Sequence, residues 1–206
     1  MEPRWLVWAK QLQAVAQNGL HYSDSGYDRE RYEVIREVAA EMIAAGAEAP
    51  MQRVKELLEG EHGYATPKVD VRGAVFRDGR ILLVKELVDG GWTLPGGWAD
   101  PCEPPSLAVE REIEEEAGFR AKAVKLAALH DRTVQGHHPP MPFHVYKLFF
   151  VCELQGGEAS TNHETGGVDF FAENALPHLS HSRVKAEQIA LMFAHFLDPA
   201  KPTDFD

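Results

Sequence analysis

The chain has 206 residues, enough for one large domain or for a standard domain with a smaller partner, and its 44% hydrophobic and 26% charged residues are ordinary for a globular protein. No apolar run approaches the ~18 residues of a membrane span. The net charge of −11 argues against nucleic-acid binding, which relies on Lys and Arg. Only two cysteines, Cys102 and Cys152, occur, without metal or disulfide spacing, and they predict a reduced, cytoplasmic protein.

Residues 1–66 predict a small all-helical segment. Apolar residues recur at helical spacing over residues 5–18, with Gly19 as a stop, and then from residue 28 or 29 to 45 and from 50 to 58. About 60 residues are few for an independent core. We therefore expect this segment to pack on the main domain, on a second subunit in a homodimer, or on both.

Residues 67–198 predict a second domain in which strands and helices mix. After Pro67 the apolar period shortens to about two, which predicts a strand, a turn at 77–80 and a returning strand. Further strands are expected at 121–129, 143–154 and 168–171. Ser180 or Ser182 is expected to cap a last helix. Residues 199–206 are expected to form a disordered tail.

The stretch Gly96–Phe119, GGWADPCEPPSLAVEREIEEEAGF, predicts a helix with unusual charges. Two prolines suit its first turn, and Gly118 suits the left-handed residue at its end. Glu112, Glu115 and Glu116 share one face and repel one another, at the helix end where the dipole disfavours anions. A hard divalent cation would compensate, since Mg²⁺ prefers oxygen ligands.

A charge run alone is more often a solvated helix face. Here, however, the charge run is part of a longer pattern. Five residues separate Gly97 from Glu103, and seven residues separate Glu103 from the stretch REIEEEAGF. Chance would rarely produce this spacing. This stretch resembles the signature of the Nudix hydrolases at every fixed position. The resemblance implies an α/β/α sandwich with a mixed sheet, and hydrolysis of a phosphoanhydride by metal-activated water.

The resemblance also implies roles for residues of this signature. Two or three Mg²⁺ or Mn²⁺ ions would be held by Glu112, Glu115 and Glu116, with a carbonyl from Gly97. Glu103 would bind a metal through water or orient the loop. Arg111 is expected to point away from Glu112 and to pair with Glu103 or another carboxylate. The general base is either a glutamate of the signature or Glu164, in the polar loop before VDFF.

Substrate specificity must come from residues outside the signature. The candidates surround one connection: Asp131, Arg132, His137, His138, His144 and Tyr146. Arg132 is suited to bidentate phosphate binding and Tyr146 to stacking on a base. The alternative is that the two adjacent histidines are plain loop residues beside Pro139 and Pro140.

The whole chain resembles one Nudix subgroup with a helical N-terminal segment. The segments GLHYSDSGYDRERYEVIREVAAEMI, DRTVQGHHPPMPFHVYK and LSHSRVKAEQI carry this resemblance. Its ADP-ribose and CDP-choline pyrophosphatases release a nucleoside monophosphate and a phosphorylated group X. Two alternatives are a pyrophosphohydrolase of nucleoside triphosphates or RNA 5′ ends, and a non-catalytic nucleotide-sensing regulator. The intact signature and the lack of a basic recognition helix argue against the regulator.

Overall fold

A computed structural model describes residues 2–206 of the chain as two units. The first comprises the residues up to Pro67 together with Pro140–His144. It contains three helices: α1 (Arg4–Tyr22), α2 (Gly26–Gly46) and α3 (Met51–Glu59). Ser25 caps α2, since its side chain accepts a hydrogen bond from the backbone N–H of Asp28.

Small and branched residues form the core of this helical unit. Its fully enclosed members are Leu6, Ala9, Ala40, Ile43, Val54 and Leu58. The prediction that α1 stops at Gly19 is wrong, because the helix continues to Tyr22. A Cβ atom at Gly19 would lie 2.4 Å from the Tyr32 ring, so the glycine permits close packing of two helices.

The second unit comprises Lys68–Pro139 and Val145–Asp206 and contains a mixed sheet. Its strands are β1 (Lys68–Arg77), β2 (Arg80–Glu86), β3 (Trp92–Thr93), β4 (Phe119–Asp131), β5 (Val145–Gly157), β6 (Thr165–Phe171) and β7 (Asp204–Phe205). The order is β3-β2-β1-β5-β4-β7, with β6 also paired to β2. β1 runs parallel to β5, whereas β1–β2 and β4–β5 are antiparallel.

Helices cover both faces of this sheet. On one face α4 (Pro105–Ala117) buries Val109 and Ile113 against Val71 and its neighbours. On the other face α5 (Ala186–Leu197) buries Ile189 and Met192 in a second core. The α/β/α sandwich expected from the sequence is therefore confirmed, with helices preceding it in the chain.

The segment before α4 is joined to β1 by backbone hydrogen bonds. The Val71 N–H donates to the Gly97 carbonyl at 2.8 Å, and the Gly73 N–H donates to the Pro95 carbonyl at 2.9 Å. A Cβ atom at Gly96 would lie 2.0 Å from the Val71 carbonyl oxygen. The glycine is thus required where the chain presses against the central sheet.

Two predictions about the C-terminal region are wrong. The last helix begins after Lys185, whose N–H donates to Gln188 Oε1, whereas Ser180 instead donates its hydroxyl to Asp89. The tail is ordered, because β7 pairs with the edge of β4 in parallel. Separately, none of the helices in residues 2–206 has the length and apolar character of a membrane span.

Candidate active site

Helix α4 presents its glutamates in two different environments. Glu112 and Glu116 are one turn apart and face the inside of the domain. The side chain of Glu112 is 13% exposed, and Glu116 as a whole residue is 5% exposed. Glu115 keeps 54% of its side chain exposed. Gly118, with φ of 74°, ends the helix in the left-handed region, as the sequence predicts.

Glu116 is buried and Glu112 half-buried, and burial disfavours the charged form of each carboxyl group. Burial raises the pKa of Glu112, and it raises the pKa of Glu116 to about 7 although the cation of Arg72 opposes the shift. The Gly96 N–H donates to Glu116 Oε2 at 2.8 Å. A cation placed between these carboxylates would offset both the cost of burial and their mutual repulsion.

A buried ion cluster beside the glutamates was missed by the sequence analysis. Arg72 donates to both oxygens of Asp70, at 2.9 and 2.8 Å, and Lys147 donates to Asp70 Oδ1 at 2.6 Å. Burial raises the pKa of Asp70, but the two cations outweigh it and lower the value to about 2. The sequence did carry a signal for this cluster, since Asp70 and Arg72 stand two residues apart in the otherwise apolar run VDVRGAV.

Arg111 connects the carboxylates at the exposed side of the site. Its Nε and Nη2 atoms each donate to Glu103 at 3.1 Å, and its Nη1 atom donates to Glu112 at 2.9 Å and Glu115 at 3.0 Å. The expectation that Arg111 points away from Glu112 is therefore wrong. The flexible side chain reaches back to carboxylates on its own helix as well as to Glu103.

The donor set suits a hard cation. Among residues 2–206 no three acidic, His or Cys side chains converge into a ready-made cage. Mg²⁺ does not require one, because it usually takes one or two carboxylates, water and substrate phosphates. A Cβ atom at Gly97 would lie 3.0 Å from Glu112 Oε2, so this backbone runs close beside the carboxylate. The Gly97 carbonyl accepts one hydrogen bond and retains a second lone pair.

Glu164 lies in a loop fastened to the C-terminal end of α4. The hydroxyl of the next residue, Thr165, donates to the Glu116 carbonyl at 3.0 Å. The Leu87 N–H donates to the Glu164 carbonyl at 3.0 Å. The Glu164 side chain is 60% exposed and lies 3.2 Å from His163. Its carboxylate is thus solvated, on a backbone attached to the signature helix.

Three of the six predicted substrate residues lie at the end of β4 and in the loop that follows it. Asp131 Oδ1 accepts the Thr133 N–H at 2.7 Å, and buried Arg132 donates to the Pro139 carbonyl at 2.8 Å. His137 is also buried, with Nδ1 lying 3.3 Å from the His181 carbonyl. Burial, with nearby cations, lowers the pKa of His137 to about 3, so the ring is neutral at pH 7.

The other three candidates lie in different settings. His138 is exposed and precedes a cis peptide bond to Pro139. Tyr146 is half-buried in β5. His144 is exposed in the segment Pro140–His144, which belongs to the helical unit. The structure therefore places Asp131 at the end of β4, Arg132 and His137 in the loop that follows, and Tyr146 opposite Asp131 in the pairing of β4 with β5.

A mixed sheet between helices, with an intact glutamate signature on α4, defines a Nudix hydrolase. The family model described as "NUDIX domain" matches residues 66–192. A second family model, described as "UDP-X-like, N-terminal oligomerisation domain", matches residues 3–58. The chain belongs to the Nudix family. Nudix hydrolases generally use divalent metals.

Two of the similar proteins match the chain over nearly its whole length. "Putative ADP-ribose pyrophosphatase YjhB" of Bacillus subtilis (strain 168) is 42% identical over 206 residues, which are 100% of this chain and 99% of that protein. The crystal structure of a UDP-X diphosphatase is 32% identical, with a TM-score of 0.64 and 98% of each chain covered. An ADP-ribose pyrophosphatase from Streptococcus suis 89-1591 is 38% identical, with a TM-score of 0.63, over 68% of this chain and 100% of that one.

Proposed function

We propose that this pyrophosphohydrolase cleaves nucleoside diphosphates linked to a group X, with ADP-ribose as the first candidate substrate. Water would add across the P–O–P bond and release a nucleoside monophosphate and phosphorylated X. The observation that carries the proposal is the pair of half-buried Glu112 and buried Glu116, whose charge is costly without a cation. Relatives named for ADP-ribose and UDP-X support the substrate class.

We assign the metal site to Glu112, Glu115 and Glu116, with the Gly97 carbonyl and with Glu103 acting through water or by orientation. Two or three Mg²⁺ or Mn²⁺ ions, when bound, polarise the phosphoryl oxygens and lower the pKa of the attacking water. Arg111 would hold Glu103 and Glu112 in position, as its hydrogen bonds to both indicate.

Glu164 is our candidate for the general base. The hydrogen bond from Thr165 to the Glu116 carbonyl places the backbone of this loop beside the signature helix. A carboxylate within reach of the attacking water can accept its proton. The alternative is that a glutamate of the signature acts as the base. The substitution of Glu164 described in the Discussion distinguishes the two.

We assign substrate binding to the loop with Asp131, Arg132 and His137, and retain His138, His144 and Tyr146 as further candidates. The neutral His137 leaves Nε2 without a hydrogen-bond partner among the described residues. Since that buried nitrogen can accept, a hydroxyl of the substrate would satisfy it. CDP-choline, whose X group has no hydroxyl, is the informative comparison.

A homodimer through the N-terminal helices is part of the proposal. The matched description of residues 3–58 as an oligomerisation domain supports it. So do exposed apolar side chains on α1 and α2, among them Trp8 and Val34. A cytoplasmic location stays a prediction, for which the two free cysteines are the support.

The test is a substrate screen with both products identified. ADP-ribose, UDP-sugars and CDP-choline would be incubated with Mg²⁺ or Mn²⁺, and a nucleoside triphosphate would serve as the competing class. We expect AMP and ribose 5-phosphate from ADP-ribose, and weaker hydrolysis of CDP-choline. Release of inorganic pyrophosphate from the triphosphate, with no cleavage of the X-linked diphosphates, would overturn the proposal.

A further inference from the structure

We propose that the C-terminal segment, residues 199–206, positions the loop at 131–137 and thereby sets the affinity for substrate. This inference rests on the proposed function only in assigning that loop to the substrate. The segment does not touch the glutamates of α4 through any hydrogen bond described for residues 2–206. Its effect should therefore separate from catalysis.

The segment is first anchored along the edge of β4. Lys125 Nζ donates to the carbonyls of Pro199 and Lys201, at 2.9 and 2.5 Å. Thr203 Oγ1 donates to the Leu126 carbonyl at 2.8 Å, and the pairing of β7 with β4 follows. These contacts fix the course of the segment toward the end of β4, where the loop begins.

At that end the segment contacts a buried histidine. Asp204 Oδ1 lies 2.7 Å from Nε2 of His130, a residue only 3% exposed that directly precedes the loop. The carboxylate gives a polar partner to a ring that packs against Phe149. A buried imidazole without such a partner would incur the cost of an unsatisfied polar group. The contact therefore holds the last residues of β4 in place.

The final contact is made to the loop itself. Asp206 Oδ2 accepts the Asp131 N–H at 2.6 Å, and Asp206 Oδ1 accepts from Gln135 Nε2 at 2.8 Å. From the other side, Lys185 Nζ donates to the Gln135 carbonyl at 2.9 Å. The loop is thus held at its first residue and at its apex by groups distant in the sequence.

Ordering this loop has a cost that the segment offsets in advance. Fixing a backbone residue costs conformational entropy, and a ligand that must order a loop binds more weakly. The loop has no regular structure of its own and contains Gly136 at a φ of 69°. With the segment in place, Asp131, Arg132 and His137 keep one arrangement before substrate arrives.

The test is the Asp206→Ala protein, with Glu173→Ala as a control that removes an exposed carboxylate elsewhere on the same unit. Asp206→Ala should raise the KM for ADP-ribose about 3- to 10-fold and leave kcat within about twofold. Asp206→Asn retains one acceptor oxygen, so its KM should lie between those of Asp206→Ala and the unaltered protein. Amide hydrogen exchange of residues 131–137 should accelerate in Asp206→Ala and remain unchanged in the control.

Each result decides between the alternatives. Unchanged exchange in the loop would show that the segment only covers the edge of β4, and would overturn the inference. Faster exchange with an unchanged KM would show that the loop is held but does not bind substrate, and would also overturn it. If the unaltered protein cleaves none of the X-linked diphosphates, the proposed function fails, whereas the exchange measurement still reports whether the segment holds the loop.

Discussion

Replacing Glu116 with glutamine removes the buried charge and leaves the shape of the site. Glutamine retains an acceptor for the Gly96 N–H, which donates to Glu116 at 2.8 Å. In the metal-free protein this substitution should stabilise the fold at neutral pH, because burial opposes ionisation of the carboxylate. The same substitution should abolish turnover, since the carboxylate is proposed to hold the metal.

The size of the effect follows from the pKa. A rise from 4.5 to about 7 corresponds to ~3 kcal/mol at 1.36 kcal/mol per pKa unit. Since charges are screened appreciably even at buried sites, we expect ~1–2 kcal/mol. The native state binds more protons than the unfolded state between pH 4.5 and 7, so stability falls as pH rises through this window. Glu116→Gln lacks this dependence, and the two proteins should converge near pH 4.

The assay is urea denaturation with EDTA at pH 4, 6 and 8, beside Glu114→Gln, an exposed position on the same helix. The Glu116→Gln protein should have the higher free energy of unfolding at pH 8, and added Mg²⁺ should stabilise only the unaltered and control proteins. A less stable Glu116→Gln protein at pH 8 would contradict the electrostatic reasoning. Substantial activity of that variant at saturating Mg²⁺ would refute the ligand role.

Three further predictions concern the same domain. Arg111→Ala should lower kcat about 10- to 100-fold and weaken Mg²⁺ activation, because Glu103 and Glu112 lose the cation that orients them, as a metal titration would reveal. Glu164→Gln should lower kcat about 100-fold with unchanged metal dependence. Full activity of this variant would show that a glutamate of the signature is the base instead. His137, whose pKa is lowered to about 3, contributes stability at pH 7 that is lost as pH falls from 6.5 toward 3. The unfolding free energy of His137→Gln should therefore vary less over this window, and an identical acid dependence in both proteins would contradict this account.

The sequence predicted the features that are encoded locally. The conflict between EREIEEE and the rules for a stable helix is visible within one turn, so Glu112 and Glu116 were found without a structure. The same holds for Pro105 at the start and Gly118 at the end of α4. Alternating apolar residues likewise predicted β1 and β2 closely, since each strand is one short run.

Features that depend on distant residues were not predicted. Lys147 reaches Asp70 only because β1 and β5 run side by side in parallel, and the register of that pairing is absent from either strand alone. The segment after Asp198 is polar and short, yet Lys125 and Leu126 on β4 give it partners. Gly19 was misinterpreted for the same reason, because its partner, the Tyr32 ring, lies on another helix.

The backbone contacts of residues 95–99 with β1 have a consequence for turnover. Hydrogen bonds from Val71 and Gly73, and one from the Ala99 N–H to the Val69 carbonyl at 3.0 Å, make this wall of the site part of the sheet. Opening it would break several of these hydrogen bonds at once, so we expect the Gly97 carbonyl to keep its position throughout turnover.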